Sequence, residues 1–335
     1  MDLLRQALKR HRKNLINLPN VVGVGIGSKQ TRGTETGEPA LVVFVAKKLP
    51  PEFLPRAALV PKSIEKIKTD VVETGRFRLL VENSDRYRPA PPGVSIGHYR
   101  ITAGTFGAVV YDRQSGKPLI LSNNHILANR TNGTDGRARR GDPILQPGPY
   151  DGGHADKDVI GTLERFVPLR YKEEPATCPV AAGLEWYMNT LLRVYRPNYS
   201  LRLFRLTETY NLVDCAAAAP TDPGLITPEI LKIGPVRGTA EAEPGMPVKK
   251  CGRTTDLTTG TVRYTHATVS VDIGNNEEAF FEEQFITDAM SRPGDSGSLV
   301  LDDKNRAVGL LFAGSDTYTV CNRIQNVLDA LAVRF

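Results

Sequence analysis

The sequence has no apolar run approaching the roughly 18 residues of a membrane-spanning helix, so a helical membrane protein is not expected. Its first twenty residues, MDLLRQALKRHRKNLINLPN, contain neither an apolar h-region nor a small-residue cleavage site, and no secretory leader is expected. Cysteine is scarce: 4 in 335 residues, at 178, 215, 251 and 321, with spacings that fit no zinc motif. In the cytoplasmic, reducing compartment these absences imply, the four are expected as small buried side chains and not as disulfides. Repeats and low-complexity segments are missing too. Basic charge is not gathered into one block: the formal net charge is +6, but the lysines and arginines are spread along the chain, which disfavours nucleic acid as a partner. The densest patches, RQALKRHRK at 5–13 and RARR at 137–140, read as a solvated helix face and a solvated loop tip.

What is present is an ordinary globular composition, 40% hydrophobic and 24% charged, long enough for two or three compact domains. Leu3, Leu4, Leu8, Leu15 and Ile16 recur at helical spacing, which predicts an amphipathic helix ending at the LPN of 18–20. Two β-branched runs, VVGVGIG at 21–27 and ALVVFVAKK at 40–48, predict a hairpin with a long polar loop, and a third run, TDVVETG, follows at 69–75. The glycines of GVGIG lack the helix that a dinucleotide site requires directly after them, so they read as a strand close to a neighbouring backbone. Residues 1–88 therefore read as a small α+β module, and the prolines of 89–93 as a linker. From 94 to 335 short strands recur at short intervals with turn residues between them, the texture of a mainly β sandwich or barrel. Two helices interrupt it, AAGLEWYMNTLLRVY in an insertion at about 171–205, and NRIQNVLDALAVRF at 322–335 with Ile324, Val327, Leu328 and Leu331 on one face.

The stretch SRPGDSGSLVL at 291–301 places Ser296 between Asp295 and Gly297. A serine hydroxyl becomes a nucleophile only when a base takes its proton, a third group orients that base, and N–H groups receive the oxyanion. Gly294 and Gly297 would let the backbone turn so that the N–H groups of residues 294 and 296 converge on one oxygen. Of five histidines, 11, 98, 125, 154 and 266, only His125 in KPLILSNNHILAN follows a predicted strand at the start of a possible helical turn. The other four read as polar surface or core-edge residues. Asp214 in YNLVDCAAAAP is a lone acid in a small, apolar stretch, costly to bury unless it holds a partner such as an imidazole N–H. Its alternative is an N-cap for a helix beginning CAAAA. Asp158 is next in line for the same role.

The order His125, Asp214, Ser296, with LSNNHILA, NLVDCAAA, RPGDSGSLVLDDKNRAVGLLFAGS and KKCGRTTDLTTGTV around them, resembles the trypsin-like (chymotrypsin-fold) serine proteases. It is most similar to their unsecreted bacterial branch with an extra N-terminal module. The resemblance covers most of 94–335 and implies two antiparallel six-stranded β-barrels of the chymotrypsin type. It implies a serine endopeptidase with His125 as base, Asp214 as its orienter, Ser296 as nucleophile and the N–H groups of Gly294 and Ser296 as oxyanion hole, without cofactor or metal. Three departures stand out. The 89 residues between His125 and Asp214 are more than usual, Asp256 stands where relatives often have glycine, and no activation cleavage signal supplies a new N-terminus for Asp295. Asp295 would then need an internal partner, an arginine being the expected one. In relatives the pocket floor lies six positions before the nucleophile, here Met290; with Ser291, Phe312 and Gly314 it makes an uncharged pocket, and no histidine follows Ser296. Peptides cut after apolar residues are the expected substrates. The competing expectation is a catalytically weak scaffold binding protein or nucleic acid through its N-terminal module, and assembly as a homo-oligomer is left open.

Overall fold

A computed structural model describes residues 2–31, 34–50, 53–55, 58–74, 83–176, 178–274 and 277–335, and the chain divides into two compact units, Met1–Leu80 and Val81–Phe335. In the first, helix α1 (Asp2–Ile16) precedes strands β1 (Val21–Thr31), β2 (Thr34–Val45), β3 (Ser63–Ile64) and β4 (Ile67–Glu73), in sheet order β1-β2-β4-β3. Strand β2 is central, antiparallel to β1 and parallel to β4. Interior strands covered on both faces read as unbroken apolar runs, and Leu41, Val42, Val43 and Val45 are all buried. Helix α1 packs Leu4 and Ala7 against Leu41, while Leu15 joins Val43 and Val45. The expected long hairpin loop is instead strand: pairing continues through the polar SKQT and TETGEP, leaving only residues 32–33, outside the described set, between β1 and β2. Gly25 and Gly27 meet side chains and not backbone, since a Cβ on either would touch Phe44 or Val42 of β2 at 3.3 and 3.1 Å.

The second unit is mainly β. Its first part holds β5 (Ser95–His98), β6 (Gly104–Thr105), β7 (Ala108–Asp112), β8 (Pro118–Ser122), the one-turn helix α2 (Asn124–Leu127), β9 (Pro143–Leu145) and β10 (Val159–Phe166). An insertion follows, with β11 (Glu173–Pro175), α3 (Pro179–Tyr195), β12 (Phe204–Leu206) and β13 (Tyr210–Asn211), before β14 (Ala216–Pro220) returns to the first sheet. The second part holds β15 (Pro247–Gly252), β16 (Asp256–Gly274), β17 (Glu277–Asp288), β18 (Leu299–Asp302), β19 (Ala307–Gly314) and β20 (Tyr318–Arg323), then α4 (Ile324–Ala330) and β21 (Val333–Arg334).

Strands β15 to β20 close on themselves through a β17–β20 pairing into a six-stranded barrel, with β13 appended in parallel to β17. The first sheet runs β21-β7-β8-β14-β10-β9-β5-β6, curled around its own core of Ile96, Phe106, Ile120, Ile144, Ile160 and Leu163. The expected pair of antiparallel barrels is thus present, with eight strands in the first sheet because β6 and β21 extend it. Period-two alternation divides each central strand between two cores: Ile120, Ala216 and Ala218 face the first barrel's interior, whereas Leu119, Leu121, Cys215 and Ala217 face the cluster shared with Leu299, Leu310 and α4.

Three expectations are corrected here. The C-terminal helix stops at Ala330; Ala332 adopts φ +51°, and the β-branched Val333 pairs with Asp112 of β7. Cys178 is exposed at the N-cap of α3, accepting the Ala181 N–H, while the other three cysteines are buried and unpaired with one another. The two units divide at 80/81, and the prolines of 89–93 are no free linker. Ala90 is fully buried, its N–H donating to Leu225 O at 2.7 Å and its carbonyl accepting from Thr227 at 3.0 Å. Arg88 donates to the Gln146 side chain and carbonyl at 2.5 and 3.1 Å. Proline's lack of an N–H suits a segment whose hydrogen bonds run through its neighbours, which is why the composition of a linker also fits a wall of the core.

A chain beginning at residue 81 is expected to stay folded. One beginning at 94 loses the Arg88 and Ala90 bonds, worth about 1.5 kcal/mol or more for each bond from the charged group, and should unfold at clearly lower urea concentration. Equal urea midpoints for the two would restore the linker reading.

Candidate functional site

His125 and Asp214, the candidate base and its candidate orienter, are placed by strand pairing. Antiparallel register sets Ala216 of β14 opposite Ser122 of β8, so the residues just before β14 lie beside those just after β8. Asp214 thereby meets α2: its Oδ2 hydrogen-bonds His125 Nδ1, and its Oδ1 accepts the His125 backbone N–H at 3.2 Å. The carboxylate, 3% exposed, is an acceptor, so Nδ1 carries the hydrogen and Nε2 is left as the basic atom. The alternative role as helix cap is removed, because CAAAA continues as strand. Two asparagines that the sequence did not single out hold the acid: Asp214 N–H donates to Asn322 Oδ1 at 2.7 Å, and Asn123 Nδ2 donates to Asp214 O at 2.8 Å. Asn322 belongs to β20, so the second barrel secures a residue of the first.

The nucleophile candidate sits in the loop before β18. Gly294 and Gly297 adopt φ +101° and +95°, where side chains are strained. A Cβ on Gly297 would come within 2.3 Å of Thr105 O, and one on Gly107 within 2.3 Å of Gly297 O. Three carbonyls of the loop are tied down: Thr254 Oγ1 donates to Pro293 O (2.8 Å), Thr105 Oγ1 to Gly294 O (2.9 Å) and Thr105 N–H to Ser296 O (2.8 Å). Among the described residues the N–H groups of Gly294 and Ser296 have no acceptor. Two N–H groups without a partner, flanking one serine, can receive an oxyanion. The Ser296 hydroxyl itself donates to Phe312 O at 3.3 Å and not to His125.

Asp295 is fully buried, and its partner is not an arginine. It pairs with Lys250 of β15 at 3.3 Å, both side chains being without solvent exposure. Oδ1 also accepts the N–H groups of Thr254 and Thr255 at 2.8 and 3.0 Å, and Oδ2 accepts the Thr255 hydroxyl at 2.6 Å and the Arg292 N–H at 2.9 Å. Arg253, the arginine of the same segment, turns instead to Asp151, donating from Nε at 2.6 Å with its guanidinium 5.1 Å from the Tyr150 ring. Asp256, standing in for glycine, adopts φ +55°, a region aspartate tolerates better than most residues.

His125, Asp214, Ser296, Met290, Ser291, Phe312 and Gly314 all line one cleft of about 1290 Å³, while Gly294, half-buried, is not among its lining residues. Met290 is 3% exposed; Thr258 Oγ1 donates to its carbonyl at 2.7 Å and its N–H donates to Thr319 Oγ1 at 3.1 Å. Phe312 lies against Phe281, ring centroids 4.6 Å apart. A Cβ on Gly314 would press on Ser291 Oγ at 3.1 Å, so glycine keeps that wall open. Val269, Val271 and Ile273 of β16 extend the cleft as an apolar wall. The end of β16 is held by Arg130, which donates to Ile273 O at 2.9 Å, and the start of β17 by Arg137, whose Nη1 donates to Glu277 Oε2 at 2.8 Å. The RARR segment is a solvated tip in part: Arg139 and Arg140 are exposed while pairing with Asp142 and Glu164, whereas Arg137 is half-buried against Glu277.

The remaining candidates lie elsewhere. His98 is fully buried against Asp142 at 3.1 Å, burial holding its pKa below the ordinary imidazole range, so it is a core residue. His154 and His266 are exposed and His11 pairs with Glu65 at 2.9 Å. Asp158 is bound to Arg86 at 3.0 Å and does not line the cleft.

A family model described as the NARROW LEAF 1 N-terminal domain matches residues 2–72, inside the first unit. No curated protein matches the chain. Among solved structures, the Nocardiopsis protease is 16% identical over 73% of this chain and 98% of its own, with a TM-score of 0.46. The chymotrypsin of Cellulomonas bogoriensis is 16% identical over 73% of this chain and 96% of its own, at 0.43. A glutamic acid-specific serine protease, described as using a histidine triad in substrate binding, is 17% identical over 73% and 99%, at 0.44.

Asn322→Ala removes the acceptor of the buried Asp214 N–H and the donor to Leu310 O, bonded at 2.7 and 3.0 Å. It is expected to destabilise the second unit by about 1–3 kcal/mol in urea unfolding; a wild-type midpoint would show that Asp214 is held by other means.

Proposed function

We propose that the chain is a serine endopeptidase in which His125 takes the Ser296 proton, Asp214 holds the reactive imidazole tautomer, and Gly294 and Ser296 N–H groups receive the oxyanion. The observation that carries this reading is the cleft itself. A histidine bonded through Nδ1 to a buried aspartate opens on the same space as a serine flanked by N–H groups without acceptors. In the reaction, Ser296 Oγ bonds to the carbonyl carbon as its proton passes to His125 Nε2. The tetrahedral intermediate then collapses, the C–N bond breaks, and the imidazolium protonates the departing amine. Water, deprotonated by the same imidazole, attacks the ester carbonyl; the C–Oγ bond then breaks and the imidazolium returns the proton to Ser296 Oγ, freeing the acid product. The hydroxyl must first leave Phe312 O, a change of side-chain torsion of the kind substrate binding induces.

The residue before the cut is proposed to be apolar and of small to medium size. The floor is the Met290 side chain, with Thr258, Gly260 and Thr319 around it. Asp288, two positions earlier, is bound to Arg263 at 2.6 Å, so its charge is already matched. An apolar slot separates side chains differing by one methylene by only about 1–3 kcal/mol, and the preference should be broad.

Ser296→Ala is expected to abolish cleavage of a peptide library without changing the fold. His125→Ala should be nearly as damaging and the double variant little worse, because the groups act together; additive losses would argue against a shared mechanism. Asp214→Asn should lower kcat by on the order of 10⁴ through the wrong tautomer. In the same library, a dominant preference for Arg, Lys or Glu before the cut would remove the pocket assignment.

A further inference from the structure

The inserted helix α3 is amphipathic in the wrong sense for its own fold. A helix packed on its protein turns an apolar stripe inward and polar residues to water. In α3 the residues that hold the helix to the rest of the insertion are polar. Glu185 Oε1 accepts the Leu203 N–H at 2.6 Å, and the Asn189 amide accepts the Leu201 N–H at 2.8 Å and donates to the Leu201 carbonyl at 2.9 Å. Of its 17 residues only Ala181 is buried. The apolar stripe faces outward instead: Val180, Leu184, Tyr187, Leu191 and Val194 are 41 to 81% exposed. Most helical stability in proteins comes from packing such a stripe, and the described residues of this chain leave it uncovered.

The spacing of the stripe says what covers it. The five residues follow one another at steps of four, three, four and three, the alternation of a coiled-coil seam over two heptads, which is filled by a second helix. A helix lying on a lipid surface has a strongly charged polar face rich in lysine and arginine; α3 carries one basic residue, Arg193, and turns its one acid, Glu185, to the insertion. Coiled coils that choose a foreign partner are marked by charges on the two flanks of the seam. Here those flanks are Gly183 and Thr190 on one side and Met188 and Tyr195 on the other, so two copies of the helix meet without repulsion. The seam also reads Val-Leu-Tyr-Leu-Val from either end, matching itself whichever way the second helix runs.

The area is sufficient. With Trp186 and Tyr195, 72 and 78% exposed, the seam leaves on the order of 600 Å² of apolar surface open to water. That equals the largest patch of a typical monomer and approaches the roughly 800 Å² that one partner contributes to a standard specific interface. We propose that α3 is a self-association surface, on which two copies of this chain pack seam against seam to form a two-fold dimer. No residue of α3 lines the cleft, so the dimer leaves the cleft open and does not depend on the hydrolase reading.

The test is sedimentation velocity of the full chain at concentrations up to about 100 μM, which populates any dimer with a lower dissociation constant. Wild type is expected to sediment at twice the mass of the chain, and Leu184→Glu/Leu191→Glu at the mass of one chain. Leu184→Ala/Leu191→Ala, which keeps helix propensity and serves if the glutamates unfold the helix, should raise the dissociation constant about tenfold or more. With benzoylphenylalanine at position 187, irradiation should join two chains through a peptide of 179–195 in the second copy. A wild type that stays at the mass of one chain, a dimer that survives both double variants, or a cross-link to any other surface would each overturn the proposal. So would a monomer that pellets with vesicles of phosphatidylcholine and phosphatidylserine while the glutamate variant does not, since the face would then belong to lipid.

Discussion

The candidate site depends on how closely two barrels approach each other at one seam. Gly107 of the first and Gly297 of the second meet backbone to backbone, at a separation where a methyl group on either would overlap the other's chain. Thr105 stitches the seam by donating from its N–H to Ser296 O and from its hydroxyl to Gly294 O. His125 and Asp214 are bonded to each other beside the first sheet and Ser296 belongs to the second, so the distance from that pair to Ser296 is set here and not by a bond between them. Asn322 adds a second tie in the opposite direction, from the second barrel to Asp214.

Around that seam, charges are buried only in matched sets. Lys250, in β15, pairs with Asp295, and Arg253, just after β15, pairs with Asp151; each acid takes further donors from hydroxyls or backbone. Buried pairs of this kind add little net stability, since desolvation offsets their attraction, but removing one member is costly. What they contribute is definition: a loop anchored by a charge has fewer alternative positions than one packed by methyl groups.

Much of this was legible in the sequence where chemistry and local structure coincide. A histidine one residue into a helical turn after a strand, and a serine between glycines that only unusual φ angles accommodate, announce themselves. Residues that act through partners distant in sequence did not. Lys250 follows Lys249 in a strand, so alternation says that one of the two points inward without saying which, or toward what; Lys250 is buried and Lys249 only partly so. Asn322 looks like any polar residue before a helix. The prolines of 89–93 and Arg137 misled for a common reason: composition reports what a residue could do in water, and Ala90 and Arg137 are held by Leu225, Thr227 and Glu277, each more than 50 positions away. At the C-terminus the apolar spacing was right for α4, and all four residues are buried, but the spacing continued past Ala332, whose positive φ ends the helix.

The distribution of thiols gives the molecule an internal gauge of its own opening. Cys215 lies between the two cores of the first sheet, Cys251 beside Lys250 and Cys321 inside the closed barrel, all with thiols held protonated by burial, while Cys178 stands exposed on the inserted segment. Thiolates, not thiols, react with alkylating reagents. The folded chain therefore offers one sulfur to such a reagent, and each further sulfur modified counts a separate excursion: of the first sheet, of the turn under the serine, or of the second barrel.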